Sequence, residues 1–396
     1  MIPAASSSDA FRFKSLLVAN MACTMAMISF VSLVGPIARL LALQPWQAGA
    51  AMTFGGVLWM LLSRPWGALS DRYGRRRVLL WGVGGFALAY WAMCAVFLVS
   101  LHTLPTASLV FAGLLLTRGA IGGFYAAIPA NSQALIADHV ALDARAGAMA
   151  ALGAANAFGM VAGPALAALL ARHSLSLPLY VSALLPLAAY AVLWRTLPPH
   201  TPVPATRVPP LKFNDARLRY PMRVAFVATF CITVGQITVG FFALDRLELS
   251  PAAAAQVAGA ALTAVGLGLI ASQLAVRRLH WPPLRLVRVG ASVAALGFVA
   301  SALAFNAFTF VAAFLLTAIG MGGMFPAFPA LAANAVQAQE QGAAAGSIGA
   351  AQGLGIVSGP FVASLLYSAA PVAPYVLAAI MLAVLANPWA APKGIS

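Results

Sequence analysis

The sequence predicts an all-α membrane protein: twelve transmembrane helices in two pseudo-symmetric six-helix halves. Three observations carry that expectation. The first is composition: 62% of the 396 residues are hydrophobic and only 8% are charged, with a mean hydropathy of +0.92. Soluble domains carry about 25% charged residues, so this chain has too little polar surface to face water. The second is a regular succession of apolar runs about one bilayer long. The third is an internal repeat.

A helix needs about 20 apolar residues to cross a bilayer. Runs of that length occur at 16–38, 47–66, 78–100, 107–136, 144–171 and 177–197, then at 222–246, 253–276, 284–305, 308–335, 343–369 and 371–391. Backbone polar groups in lipid must be satisfied within the segment, which makes each run a helix. Arg12 and Lys14 precede the first run and superficially suggest a signal peptide. That run is longer than a signal core, so it is expected to be a retained first helix.

Between the sixth and seventh runs, residues 198–221 open with six prolines between 198 and 210, followed by Lys212, Asp215, Arg217 and Arg219. Proline density forbids a continuous helix there. Residues 198–221 are therefore expected to link an N-terminal half, 1–197, to a C-terminal half, 222–396. The halves repeat. Ile121–Ala130 matches Met321–Ala330, Gly159-x-x-x-Gly163-Pro164 matches Gly355-x-x-x-Gly359-Pro360, and Pro45 matches Pro251. The spacings of 200, 196 and 206 drift as small loop insertions would make them drift.

The net charge of +15 raises the possibility of a nucleic-acid partner, but the basic residues sit in short gaps between apolar runs. With both chain ends and the linker in the cytoplasm, 19 of the 23 Lys and Arg fall on or near that face, as the positive-inside rule requires. Cys23, Cys94 and Cys231 lie within apolar runs without metal-ligand spacing and read as packing residues. No metal, cofactor or phosphate-loop motif occurs, so an enzyme is not expected, and the energy for any work must come from an ion or substrate gradient.

The most polar stretch between apolar runs is Gly67-Ala-Leu-Ser-Asp71-Arg72-Tyr-Gly74-Arg75-Arg76-Arg77, read as a loop reaching water. Its pattern resembles the loop between helices 2 and 3 of major facilitator superfamily transporters. That resemblance implies two parallel repeats around a central site and assigns Gly67, Asp71, Arg72, Gly74, Arg75 and Arg76 to a latch. There Asp71 would pair with nearby arginines and with the start of helix 11, near Gly342. Arg118-x-x-x-Gly122 resembles the helix 4 motif of the twelve-helix drug/proton antiporter branch. Gly159, Gly163 and Pro164 resemble the helix 5 motif that marks exporters, preceded by Asp138 and Arg145; Ala167-Ala168 departs from the usual glycine pair.

Arg118 is the one charged residue placed well inside a segment, and buried arginines in membranes mark function. Interfacial snorkelling is the plain alternative. No Asp or Glu lies mid-segment. The nearest candidate for coupling is Asp245, at the outer end of segment 7. Its repeat counterpart is Arg39, at the outer end of segment 1, and the two are expected either to form an outer gate or to meet lipid headgroups. The expected pocket takes polar groups from Asn156, Gln236, Thr263 and Gln352, and apolar ones from Met25, Met27, Phe124, Tyr125, Phe241, Met324 and Phe325.

Together these features suggest a monomeric, proton-coupled exporter of a small amphipathic molecule in a bacterial-type inner membrane. The whole-chain pattern resembles exporters of the hydroxamate siderophore alcaligin, which makes a siderophore the favoured cargo. A multidrug pump and a small-solute importer are the alternatives, the helix 5 motif arguing against import.

Overall fold

The computed structural model describes residues 13–387 except 104–105, 141, 198–214, 280 and 338–339. The described residues are helical throughout and form no strand. The first half contains α1 (Phe13–Leu40), α2 (Pro45–Tyr73), α3 (Arg75–Thr103), α4 (Ala107–Tyr125), α5 (Ala127–His139), α6 (Leu142–Leu170) and α7 (Leu177–Thr196). A single 3-10 turn, Ala216–Leu218, leads into α8 (Arg219–Asp245), α9 (Pro251–Leu279), α10 (Pro283–Ala302), α11 (Ala307–Asn334), α12 (Gln341–Ala369) and α13 (Ala373–Ala386). Taking α4 and α5 as one rod, ten of these are long and apolar enough to span a bilayer. The charge-bearing α2 and the short α13 complete twelve. The expected linker falls largely on residues 198–214, outside the described residues.

Two boundaries differ from the sequence expectation. The segment at 107–136 is broken at Ala126. Pro129, in the first turn of α5, has no N–H to offer the Tyr125 carbonyl one turn back, and its ring crowds that carbonyl. The stretch Gly67–Arg77 is not a loop. α2 continues through Tyr73 and the reversal is made by Gly74 alone, at φ +92°, a conformation that favours glycine. Its N–H bonds the Ser70 carbonyl at 3.0 Å.

The halves share one packing plan. α1 packs on α6 and α7, α2 on α4, and α3 on α4 and α7; correspondingly, α8 packs on α12 and α13, α9 on α11, and α10 on α11 and α13. The turns agree to the residue: Ala42 and Glu248, 206 apart, both adopt φ +54° just before the proline that opens the next helix. Lipid is as apolar as leucine, so cohesion rests on close backbone approach. A Cβ on Gly159 or Gly163 would stand 2.6 or 2.5 Å from the Met21 or Met25 carbonyl of α1. Gly355 and Gly359 press on α8 in the same way, at Phe226 and Thr233.

Candidate transport pathway between the halves

The first half buries an unusual cation. Arg118, on α4, is 1% exposed, which removes it from any snorkelling position. Its guanidinium lies over the Phe30 ring of α1, 4.8 Å from the centroid, and Nη1 approaches the Met27 sulfur at 3.8 Å. No carboxylate pairs with it among the described residues. A desolvated cation on an aromatic face gains about 2 kcal/mol, well short of what removing the charge from water costs. The site therefore holds a positive charge that an anion or a polarised ligand group would stabilise.

At the α4–α5 break lies a polar chain. Asn156 Oδ1 can only accept, so the Thr24 hydroxyl donates to it at 3.2 Å and receives the Tyr125 hydroxyl at 3.0 Å. The chain ties α1, α4 and α6 together, with Met25 beside it and its carbonyl against Gly163. On the same face of α1, one turn back, Asn20 donates to Ser132 Oγ of α5 at 2.7 Å. Thr24, Asn20 and Phe30 escaped the sequence reading. The polar pair spaced i, i+4 in the first segment was the available signal.

Between the halves, α2 packs on α12, α6 on α9, and α1 on α8 and α9. Contact is tight at the end bearing Arg39 and Asp245. A Cβ on Gly35 would stand 2.7 Å from the backbone of Gly240 and Phe241, one on Gly49 2.6 Å from the Pro360 carbonyl, and one on Gly259 2.6 Å from the Pro164 carbonyl. Arg39 and Asp245 form an ion pair across this seam, and the Tyr367 hydroxyl of α12 donates to the other carboxylate oxygen at 3.1 Å. Toward mid-depth the seam holds: Thr53 Oγ1 donates to the Val357 carbonyl at 2.9 Å, and a Cβ on Gly353 would stand 3.7 Å from the Met60 sulfur. At the arginine-rich end it parts. Cβ atoms built on Gly67, Gly147, Gly153, Gly346 and Gly349 would meet nothing within 4 Å.

At that parted end each half is tied to itself. Arg75 pairs with Asp71 one turn away and with Asp138 of α5 at 3.2 Å, and also donates to Ser70. Arg76 donates to the Trp194 carbonyl of α7 at 2.8 Å, and Arg72 lies 5.3 Å from the Tyr73 ring centroid. In the second half Arg217 donates to Asp215 at 2.8 Å and, through both Nη atoms, to Glu340 at 2.9 and 3.0 Å. Those bonds hold both carboxyls below their usual range and raise the guanidinium. The side chain of Arg145 lies outside the described residues, and Gly342, the expected partner of Asp71, lies in the first turn of α12.

Of the expected pocket residues, Phe124 and Met324 face into their own halves. Phe124 packs inside its own half, where Gly85 of α3 leaves room for its ring and Trp66 lies 6.0 Å away. Phe241 is 1% exposed within the closed seam, its ring 5.7 Å from that of Tyr367. Met324 is buried against Gly290 of α10, and Phe325 stacks edge-on to Phe328 at 5.8 Å. Gln236 borders a small cleft within the second half, with Thr317 and Phe298. Thr263 donates to the Gly259 carbonyl within its own helix, and Gln352 accepts Thr229 through its backbone. Gly67 touches no neighbour, so the close approach expected of it is absent in this arrangement.

The family model of the Major Facilitator Superfamily matches residues 16–360. The chain is 30% identical over 340 residues to the class G tetracycline resistance protein of Vibrio anguillarum, covering 81% of this chain and 80% of that one. It is 28% identical over 335 residues to the class C tetracycline resistance protein of Escherichia coli, with the same coverage. A bacterial homolog of the human lysosomal transporter Spinster shares the fold at a TM-score of 0.71 and 13% identity, over 97% of this chain and 95% of that one. The chain thus belongs to the major facilitator superfamily, and is a multi-pass membrane transporter, not an enzyme.

Proposed function

We propose that this transporter exports small, amphipathic, drug-like molecules by alternating access. The observation that carries this is the seam: closed at the Asp245 end, parted at the arginine-rich end, with a buried cation and a polar chain between. Reading the arginine-rich end as cytoplasmic, by the positive-inside rule, makes this the cytoplasm-open state of a pump in a bacterial inner membrane. It also puts the chain ends and the 198–221 linker between the halves on that face. The tetracycline-resistance relatives support drug-type cargo over the siderophore, which found no support among the relatives. Arg118, with no acid beside it, keeps a polar or anionic siderophore as the second reading. The protein acts as a monomer and exchanges cargo for protons.

The closed seam also has a register. Opposing residues on the antiparallel pair α2 and α12 are Gly49 with Pro360 and Ser364, Gly56 with Val357, and Met60 with Gly353. Each step of seven along α2 is matched by a step of about seven back along α12. Extended toward the cytoplasm, the same face carries Gly67 opposite Gly346 and Asp71 opposite Gly342, at the first turn of α12. A carboxylate at a helix N-terminus gains about 0.3–1 kcal/mol. Closure of this end would give Asp71 that partner in addition to Arg75.

Everted membrane vesicles energised to an acidic interior provide the test. Tetracycline and a panel of amphipathic drugs should accumulate, and collapse of the pH gradient should release them. Accumulation of a hydroxamate siderophore alone would move the cargo to the second reading. Uptake by whole cells without accumulation in everted vesicles would reverse the direction.

A further inference from the structure

A groove of about 510 Å³ lies at the Asp245 end of the molecule, where α6 of the first half meets α9 and α11 of the second. Its walls are apolar, formed among others by Leu169, Val257, Phe308 and Val311. Phe308 is 82% and Leu169 56% exposed, so the groove opens onto the surface that the bilayer covers. Two polar side chains border it, Arg172 just beyond α6 and Gln256 in the second turn of α9. Arg172 is exposed, and neither side chain is paired among the described residues. Ala165, on the deeper wall, precedes Arg172 by seven residues, about 10 Å at helical rise. A cation thus stands at headgroup level above an apolar slot that descends into one leaflet.

We propose that this groove binds an anionic phospholipid, its phosphodiester on Arg172 and Gln256 and an acyl chain along the α6–α9–α11 walls. Guanidinium meets phosphate with paired hydrogen bonds, and basic pockets between membrane helices take anionic headgroups. Lipid is favoured over a free anion because most of the wall is apolar and would otherwise go uncovered. The site lies apart from Arg118 and the Tyr125–Thr24–Asn156 chain. It straddles both halves, so its occupant spans the seam that is closed here.

The test is native mass spectrometry of the full-length protein released from detergent with added phosphatidylglycerol. The wild type should retain bound phosphatidylglycerol in preference to phosphatidylethanolamine. Arg172→Gln should weaken retention about tenfold, the loss expected for one charge-assisted hydrogen bond. Val311→Trp, which fills the slot and leaves the cation, should weaken it too. Arg246→Gln, an exposed arginine at the same end but outside the groove, should change nothing. Equal retention by wild type and Arg172→Gln would overturn the proposal. So would displacement of the lipid by millimolar inorganic phosphate, which would make the site one for free anions, or by tetracycline, which would make it a lateral cargo site.

Discussion

Gly35→Ala should drive the transporter out of the state described here. The added methyl would lie 2.7 Å from the backbone of Gly240 and Phe241 across the seam. Backbone cannot rotate aside as a side chain can, so α1 and α8 must separate there. Overpacking of this kind costs about 1–3 kcal/mol, and the cost falls only on the state in which the two helices touch. The ratio of Asp245-end-open to Asp245-end-closed molecules should therefore rise about 5- to 150-fold. Spin labels at the exposed residues 102 and 305, one in each half at that end, would report it as a longer distance by double electron–electron resonance. Gly159→Ala is the control, because its methyl would lie 2.6 Å from the Met21 carbonyl within one half. It should lower stability by a comparable amount and leave the distance distribution alone. An unchanged distribution in Gly35→Ala, or an equal shift in Gly159→Ala, would refute the reading of this seam as the moving one.

Asp245→Asn leaves Arg39 and Tyr367 without their carboxylate. The pair is part-exposed, so the closed end should weaken by no more than about 1 kcal/mol, seen as a smaller shift in the same distance measurement; unchanged pH-driven transport would also remove Asp245 from coupling. Arg118→Met removes a buried charge that only an aromatic face and a sulfur stabilise, so thermal stability should hold or rise while cargo transport in vesicles is lost. Gly67→Leu meets no neighbour here and should fold normally, yet block closure against Gly346. Asp71→Asn should impair transport in the same way with membrane insertion intact, and normal turnover by both variants would dismiss the latch. Asp215 and Glu340 are held below the ordinary carboxylate range by Arg217. A depressed carboxyl lends stability above its ordinary value, about pH 4, and loses it as pH falls through the depressed value. The Arg217 amide, which donates to Asp215 at 2.9 Å, should keep its hydrogen-exchange protection at neutral pH and lose it in acid.

The twelve rods, the repeat and the pairing of Arg39 with Asp245 were legible in the sequence because each rests on spacing along the chain. Run length counts membrane crossings, and the local repeat offset of 206 sets Arg39 against Asp245. Which way a side chain points was not legible. In a soluble helix the apolar stripe marks the buried face, but a membrane helix is apolar all round because lipid covers the rest. Phe124 and Met324 were therefore as plausible facing a central pocket as facing their own half. Thr24 escaped because threonine in a helix ordinarily bonds its own preceding turn, as Thr117 and Thr317 do. The break at Ala126 was marked by Pro129, yet Pro36, Pro65 and Pro164 sit inside continuous helices. Proline alone did not discriminate.

The two seams between the halves, related by the repeat, end differently. On α9, Gly259 meets Pro164 and Ala168 of α6, and Gly266 meets Val161, the same antiparallel register that α2 keeps with α12. Carried to the arginine-rich end, that register sets Gln273 opposite Ala154 and Arg277 opposite Ala150. These are the repeat counterparts, 206 residues on, of Gly67 and Asp71. A glycine that admits close approach and an acid that favours a helix N-terminus are thus replaced by a longer amide and a cation. Ala150 lies about two turns into α6, so no helix N-terminus stands opposite Arg277, and glutamine cannot let two backbones touch as glycine does. On the alternating-access reading proposed above, closure of this end would be driven along the α2–α12 seam, with the α6–α9 seam following. Substitutions at Gly67 should accordingly cost transport more than matched substitutions at Gln273.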